Sequence, residues 1–309
     1  MNKFKELIGL IVYKCAPIKK NRIVFTSFEG QYNDNPKAIA LKFHELYADK
    51  YELIWLLKDL NNKECPDYFK KFKIGTLKSF WIRGSAKIQI DNIYGISALF
   101  ITDENKNKKF KRNIYSFLIN KRQQLIFTTF HGTPLKRIGR DQINNTVLGM
   151  ICHNTTMFLG DKYSCEIMKG VTFDQIPIQN LGTPRDDVLF EENIGIKAKL
   201  GICEEDKIVL FAPTFRNDGL DVDGKNIMKS GINQINDFNI DNLLNLFGTK
   251  FGGKWHLILR FHYHVANMIN WADLKTKYGD KVINGNKLSD MSDYLCAADA
   301  LITDSSSCM

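Results

Sequence analysis

The sequence predicts an α/β protein of two domains whose layers are built around parallel sheets. Three observations carry that reading. Short apolar runs of strand length alternate with segments of helical period through most of the chain. The 309 residues correspond to two domains at about 150 residues each. A hydrophobic content of 44% with 25% charged residues is that of a folded soluble chain, which excludes a disordered or fibrous protein.

The elements follow in order. Residues 1–20 place Phe4, Leu7, Ile8, Ile11, Val12 and Cys15 at helical spacing among Lys3, Lys5, Lys14, Lys19 and Lys20. This stretch is too short to span a bilayer, and Lys5, Glu6 and Lys14 interrupt it too often for a signal peptide. It reads as a basic amphipathic helix lying on an anionic membrane surface, or as a terminal helix packed on its own domain. Strands are predicted at residues 22–28, 52–57, 87–90, 125–130, 156–159 and 176–181. A helix joins the first two, with Pro36 in its first turn and Ile39, Leu41, Phe43 and Leu46 as its buried stripe. A second strand series runs through residues 207–211, 255–261, 281–283 and 300–303. The interruption at Gly182-Thr183-Pro184 and the charged residues 186–192 separates an N-terminal domain, 21–185, from a C-terminal one, 186–309. The chain stops at Met309, soon after the last strand, so the second sheet is expected either to be C-terminally truncated, without its final crossover, or to have that edge covered by something else.

Forty-three Lys plus Arg against 34 Asp plus Glu give a formal charge of +9, which attracts phosphorylated substrates, polyanions or anionic lipid. Residues 103–122 concentrate that charge in Lys106, Lys108, Lys109, Lys111, Arg112, Lys121 and Arg122. Such a run binds phosphate groups or is a solvated face. Seven scattered cysteines without a C-x-x-C pair argue against a disulfide framework or zinc ribbon and point to a reducing, cytoplasmic setting. The polar stretch 217–236 contains Asp221-Val222-Asp223-Gly224, but Gly219 and Ser230 occupy positions where a calcium loop needs carboxylates.

Chemistry concentrates at strand ends. Phe130-His131-Gly132-Thr133-Pro134-Leu135-Lys136-Arg137 follows an apolar strand, which sets an imidazole at the carboxyl edge of a parallel sheet. There it can accept a proton from an attacking hydroxyl, or serve as a hydrogen-bonded structural histidine; the adjoining glycine, proline and cations favour the first. Strand alternation puts His256, Ile258, Arg260, His262 and His264 on one face. Phosphate contact suits this set better than a metal, for which no acidic or Cys partner is placed. Ala212-Pro213-Thr214-Phe215-Arg216 leaves the first strand of the second half, and Thr303-Asp304-Ser305-Ser306 leaves the last; hydroxyls, turn amides and a guanidinium there suit a pyrophosphate. No P-loop, G-x-G-x-x-G or G-x-S-x-G sequence occurs.

This ordered series resembles the CDP-glycerol:poly(glycerophosphate) glycerophosphotransferases, which build teichoic acids and related glycerol- or ribitol-phosphate polymers in bacteria. The resemblance runs from Ile23-Val24-Phe25 and Asp34-Asn35-Pro36-Lys37 through the His131 motif, Gly182-Thr183-Pro184-Arg185, Ala212 to Arg216 and Arg260-Phe261-His262-Tyr263 to Thr303-Asp304-Ser305-Ser306. It implies a GT-B-like fold: two Rossmann-like domains facing a cleft, an acceptor side in the first, a CDP-binding second, no cofactor and no metal. It implies His131 as base on the acceptor hydroxyl and His262 at the donor phosphates. Thr214, Arg216, Arg260, Asp304, Ser305 and Ser306 would bind the donor, CDP-glycerol or CDP-ribitol. Asp34, Asn35, Lys136, Arg137 and Arg185 would contact acceptor or phosphate. The implied partners are a lipid-linked polyol-phosphate or glycan acceptor and the anionic cytoplasmic face of the cell membrane, with no nucleic acid. Two departures stand out: Ser305 replaces the aromatic residue usual in that turn, and the aromatic-acid stretch that normally follows is missing. A GT-B nucleotide-sugar glycosyltransferase and a non-catalytic binder of membrane or anionic polymer are the alternatives.

Overall fold

The computed structural model describes residues 3–28, 30–93, 99–101, 117–119, 121, 123–135, 148–150, 155–171, 176–191, 195–213, 239–261, 266, 269–304 and 306. The chain divides into two compact units, Met1–Asp186 and Asp187–Met309.

The first unit contains α1 (Lys3–Cys15), β1 (Lys19–Phe25), α2 (Asp34–Tyr47), β2 (Glu52–Leu57), β3 (Lys70–Lys73), α3 (Leu77–Ser85), β4 (Ala86–Asp91), β5 (Leu99–Ile101), β6 (Leu125–Thr128), β7 (Leu148–Met150), β8 (Thr155–Leu159), α4 (Lys162–Val171) and β9 (Ile178–Asn180). Its main sheet is parallel, in the order β3-β2-β1-β4-β6-β8-β9, while β5 and β7 form a separate antiparallel pair. Strand β2, Glu-Leu-Ile-Trp-Leu-Leu, is buried from Leu53 to Leu57, as expected of a strand covered on both faces. Leu53, Trp55 and Leu57 join Ile23 and Phe25 in one core, whereas Ile54 and Leu56 join Val24 and Ile82 in another.

Helix α2 corrects the predicted stripe: Pro36 and Ala40 are buried and Ile39 and Phe43 pack on the core, but Leu41 and Leu46 are exposed. Positions 36, 40 and 43 follow the helical period of the inner face and 41 falls outside it, whereas 46 lies in the last turn of the helix. Helix α1 packs against α3 through Leu10, Tyr13 and Phe80. The two backbones approach closely because a Cβ on Gly84 would lie 2.1 Å from the Tyr13 carbonyl oxygen. The Lys121 ammonium donates to the carbonyls of Tyr13, Ala16 and Gly84, closing the C-terminal ends of both helices.

The second unit contains α5 (Ile196–Leu200), β10 (Lys207–Ala212), α6 (Ile240–Phe251), β11 (Trp255–Leu259), α7 (Trp271–Tyr278), β12 (Val282–Asn284), α8 (Met291–Ala297) and β13 (Ala300–Thr303). Its parallel sheet has the order β12-β11-β10-β13. Val209 and Phe211 face a core with Ile240 and Leu244. Ile208 and Leu210 face another with Leu200 and Tyr294.

Both sheets reverse their strand order once, between β1 and β4 in the first unit and between β10 and β13 in the second. The chain splays apart at such a switch point, and a crevice opens beyond the carboxyl ends of the strands.

Candidate active site

In the first unit, the segments after β1, β4 and β6 come together beyond the sheet's carboxyl edge. Three non-glycine residues among those described have left-handed backbone: Phe28 (φ 42°), Asp34 (φ 63°) and Phe130 (φ 52°). Each such conformation costs about 1–2 kcal/mol, and all three border one cluster. The Phe28 and Phe130 rings lie 5.7 and 4.2 Å from the His131 ring. Asp34 is buried within the hydrogen-bond network behind it. Strain concentrated around one imidazole marks a site that the surrounding fold holds in place.

That network is built on Asn92, which is wholly buried just past the end of β4. Its Oδ1 accepts from the Phe28 amide at 2.8 Å, and its Nδ2 donates to Ser27 Oγ at 3.0 Å and to Asp34 Oδ2 at 2.9 Å. Asp34 Oδ1 accepts from the Asn35 amide at 2.7 Å and from Arg185 Nη1 at 3.3 Å. The same Arg185 nitrogen donates to the His131 carbonyl at 3.0 Å. Asn35 completes the ring: its Oδ1 accepts from the Arg185 amide at 3.0 Å and its Nδ2 donates to the Phe130 carbonyl at 3.3 Å. The expected set Asp34, Asn35, His131 and Arg185 is thus brought together, with Asp34 and Asn35 engaged inside the protein.

His131 Nδ1 lies 3.3 Å from the Asn92 carbonyl oxygen. A carbonyl only accepts, so this contact requires a proton on Nδ1. Burial pushes the imidazole below its ordinary pKa; the Asn92 carbonyl and Asp34 work upward, and Arg185 works downward with burial. The ring is therefore neutral at neutral pH, with its lone pair on Nε2, the state a general base needs.

Two neighbours fix the following turn. Thr133 Oγ1 donates to Asp161 Oδ2 at 3.3 Å, and Asp161 also accepts from the Ser164 amide and hydroxyl, both at 2.7 Å, which caps α4. Burial works upward on the Asp161 carboxyl, but its bonds to Ser164 and Thr133 hold it below the usual carboxylate range. A Cβ on Gly160 would lie 2.1 Å from Thr183 Oγ1, so glycine at the end of β8 admits the turn that carries Arg185. Beneath the site, burial pushes the Asp91 carboxyl up to about 6 against the pull of Arg83.

In the second unit, Arg260 lies just past the end of β11 and donates through Nη1 to the carbonyls of Gly285 and Leu288, both at 2.6 Å, and through Nη2 to Ser289 at 3.0 Å. It thereby fastens the loop before α8. Strand β11 ends at Leu259, two residues earlier than expected. His256, on the same face as predicted, lies at the strand's other end, where its ring nitrogens meet the Asp280 carbonyl at 2.8 Å and Asp206 Oδ2 at 2.7 Å. Asp304 and Ser306 follow β13 and share a 2.7 Å backbone bond, while Thr303 Oγ1 donates to the Ala212 carbonyl at 2.7 Å. These groups stand at the second sheet's switch point. Lys136, Arg137, Thr214, Arg216, His262 and Ser305 lie outside the described residues. Among the described residues, no group of three or more His, Cys, Asp or Glu is placed to hold a metal ion.

Asn92, Ser27 and Asp161 belong to no motif that the sequence displays. Polar residues directly after predicted strands, Asp91-Asn92 and Gly160-Asp161, were the available signal.

Two Rossmann-like units, each with polar groups at its switch point, make this a GT-B-like protein. Residues 10–309 match the CDP-Glycerol:Poly(glycerophosphate) glycerophosphotransferase family, and the chain belongs to it. It is 26% identical to the teichoic acid poly(glycerol phosphate) polymerase of Staphylococcus epidermidis, over 100% of this chain and 41% of that protein. It is 29% identical to the teichoic acid glycerol-phosphate transferase of Staphylococcus aureus, over 100% of this chain and 76% of that protein. The solved structure of the wall teichoic acid polymerase TagF is similar with a TM-score of 0.72 and 25% identity, covering 99% of this chain and 71% of that one. The chain thus spans less than half the length of the S. epidermidis relative.

Proposed function

We propose that the protein transfers glycerol phosphate, or ribitol phosphate, from a CDP-polyol to a hydroxyl of a membrane-linked teichoic-acid-like or capsular polymer, releasing CMP. Family membership and the names of the relatives, a poly(glycerol phosphate) polymerase and a glycerol-phosphate transferase, support the reaction class. The observation that carries the mechanism is the His131 geometry, an Nδ1 committed to the Asn92 carbonyl and an Nε2 left to accept. In that mechanism the acceptor hydroxyl oxygen attacks the phosphorus bearing the polyol. Its proton passes to His131 Nε2, and the bond from that phosphorus to the bridging oxygen breaks, so that CMP departs with the electron pair. Cationic and hydroxylic groups, for which Arg216, His262, Asp304, Ser305 and Ser306 are the candidates, offset the charge that develops on the phosphates.

Contact with the cytoplasmic face of the membrane is supported by α1. Its inner face, with Leu10 and Tyr13, is buried, while Phe4 and Ile11 on the opposite face are exposed beside Lys5. A helix apolar on both faces with basic flanks suits an anionic interface. No helix among the described residues is long and apolar enough to cross a membrane.

Incubation with CDP-glycerol or CDP-ribitol and a lipid-linked acceptor, followed by a CMP assay, tests the reading. CMP release is expected only with acceptor present, the product keeps the donor's phosphate, and His131→Ala lowers the rate about 10²- to 10⁴-fold. Transfer without the phosphate, or full turnover in His131→Ala, refutes it.

A further inference from the structure

We propose that Asn92 and the Asp34–Arg185 pair are positioning residues that hold His131 as the Nδ1–H tautomer and present Nε2 for proton transfer. This rests on the reading of His131 as the base and goes beyond it, assigning to three other residues the work of setting that base.

The geometry joins the imidazole to the fold at two points. Its ring is held by the Asn92 carbonyl through Nδ1, and its main chain by Arg185 through the His131 carbonyl. The Asp34 carboxylate connects the two holds, with Oδ2 on the Asn92 side chain and Oδ1 on the Arg185 guanidinium. The acceptor is the Asn92 main-chain carbonyl, and the side-chain bonds to Phe28, Ser27 and Asp34 anchor the residue that carries it. A buried acceptor left unpaired costs about 1–3 kcal/mol, and that penalty opposes the other tautomer, whose bare Nδ1 would face the carbonyl oxygen. Asp34 adopts its left-handed backbone at the start of α2, which directs its carboxylate inward.

The charged groups acting on the ring from the packed elements are Asp34, from α2, and Arg185, from the turn after β9; Phe28 and Phe130 supply aromatic walls. Asp34 favours the protonated ring and Arg185 disfavours it. The two effects oppose each other, and burial keeps the ring uncharged while the pair orients it. Removing either charge alone must shift the imidazole in opposite directions. Both charges act through space, so the opposed shifts test that the two groups face the ring as described, while the site of the ring proton tests the hold on the tautomer.

The experiment uses the full chain with ¹⁵N-labelled histidine. Six histidines are present, and the resonance lost in His131→Asn assigns the ring. In the wild type, the neutral ring is expected to carry its proton on Nδ1; a proton on Nε2 overturns the proposal. Asp34→Asn is nearly isosteric, and asparagine tolerates the left-handed region. It is expected to lower the titration midpoint, and Arg185→Gln to raise it. Midpoints that move together or stay unchanged overturn the proposal. Asn92→Ala is expected to mix the tautomers; should it fail to fold, the other two variants still decide. These readouts need no turnover, so they are separable from the catalytic reading: unchanged CMP release in His131→Asn defeats that reading while leaving the tautomer result intact. With turnover established, Asp34→Asn and Arg185→Gln are expected to lower kcat about tenfold or more, and their pH–rate midpoints to move with the NMR midpoints.

Discussion

Replacing Lys121 with methionine tests how the N-terminal helix is held. The ammonium is shared by three carbonyls, those of Tyr13, Ala16 and Gly84, which belong to the ends of α1 and α3. Hydrogen bonds from a charged donor contribute about 1.5–3 kcal/mol each in deletion experiments. Here one partly exposed ammonium serves all three, and water replaces some of what is lost, so the whole substitution should cost about 2–4 kcal/mol. Favourable charge at two helix C-termini is lost as well, and lies within that figure. For a unit of this size, each kcal/mol lowers Tm by about 2–4 °C, which gives a fall of roughly 5–15 °C. Thermal unfolding followed by circular dichroism measures the fall, and hydrogen exchange should show it concentrated in α1 and α3. Lys20→Met, at an exposed position on β1, is the control and should remain within about 0.5 kcal/mol of wild type. A Lys121→Met protein with wild-type Tm and unchanged exchange in α1 would show that the three carbonyls are satisfied by other means.

Two further substitutions probe the same layer. Gly84→Ala places a Cβ 2.1 Å from the Tyr13 carbonyl oxygen, so α1 must shift; a loss of about 1–3 kcal/mol in denaturant unfolding is expected, and wild-type stability would mean the helices cross farther apart. Asp91 gives a pH signature. Its carboxyl is raised from 3.8 to about 6 by burial, so the stability contributed by its neutral form is complete below about pH 4 and is lost as pH rises through 6, up to about 3 kcal/mol. Asp91→Asn mimics the neutral form and should be about 1–3 kcal/mol more stable than wild type at pH 7.5 and equal to it at pH 4. A less stable variant at pH 7.5 would show instead that Arg83 requires the carboxylate.

The fold was legible wherever strands are buried on both faces. Glu52–Leu57 was predicted with its observed bounds, and Lys207–Ala212 to within one residue, because continuous apolar runs of that length have few other uses in an α/β chain. Strand β3 was invisible: Lys-Lys-Phe-Lys carries no apolar run. It occupies the edge of the sheet, where lysines prevent further pairing. In the sequence Lys121 belongs with its neighbours to a basic run, although in the fold it closes two helices. A run of like charges records composition, whereas a cap is defined by carbonyls that arrive from residues 37 and more than 100 positions away.

The site divides along the same line. His131 announces itself locally, because a strand that ends in His-Gly-Thr-Pro has a recognisable turn chemistry. Asn92 does not, since its partners Phe28, Ser27 and Asp34 lie 58 to 65 residues away in sequence. They meet because the strand order reverses between β1 and β4, which brings the segments after those strands to one crevice with the segment after β6 beside them. A sequence motif can therefore nominate a candidate for the reacting group, while the groups packed around it are specified by topology. Asp34 shows the difference within a single residue. At the start of a helix an acid usually complements the helix dipole at the surface, and that reading also fits an acceptor-side contact. The positive φ turns the carboxylate inward instead, where it links Asn92 to Arg185. Its chemistry comes from where the backbone points it.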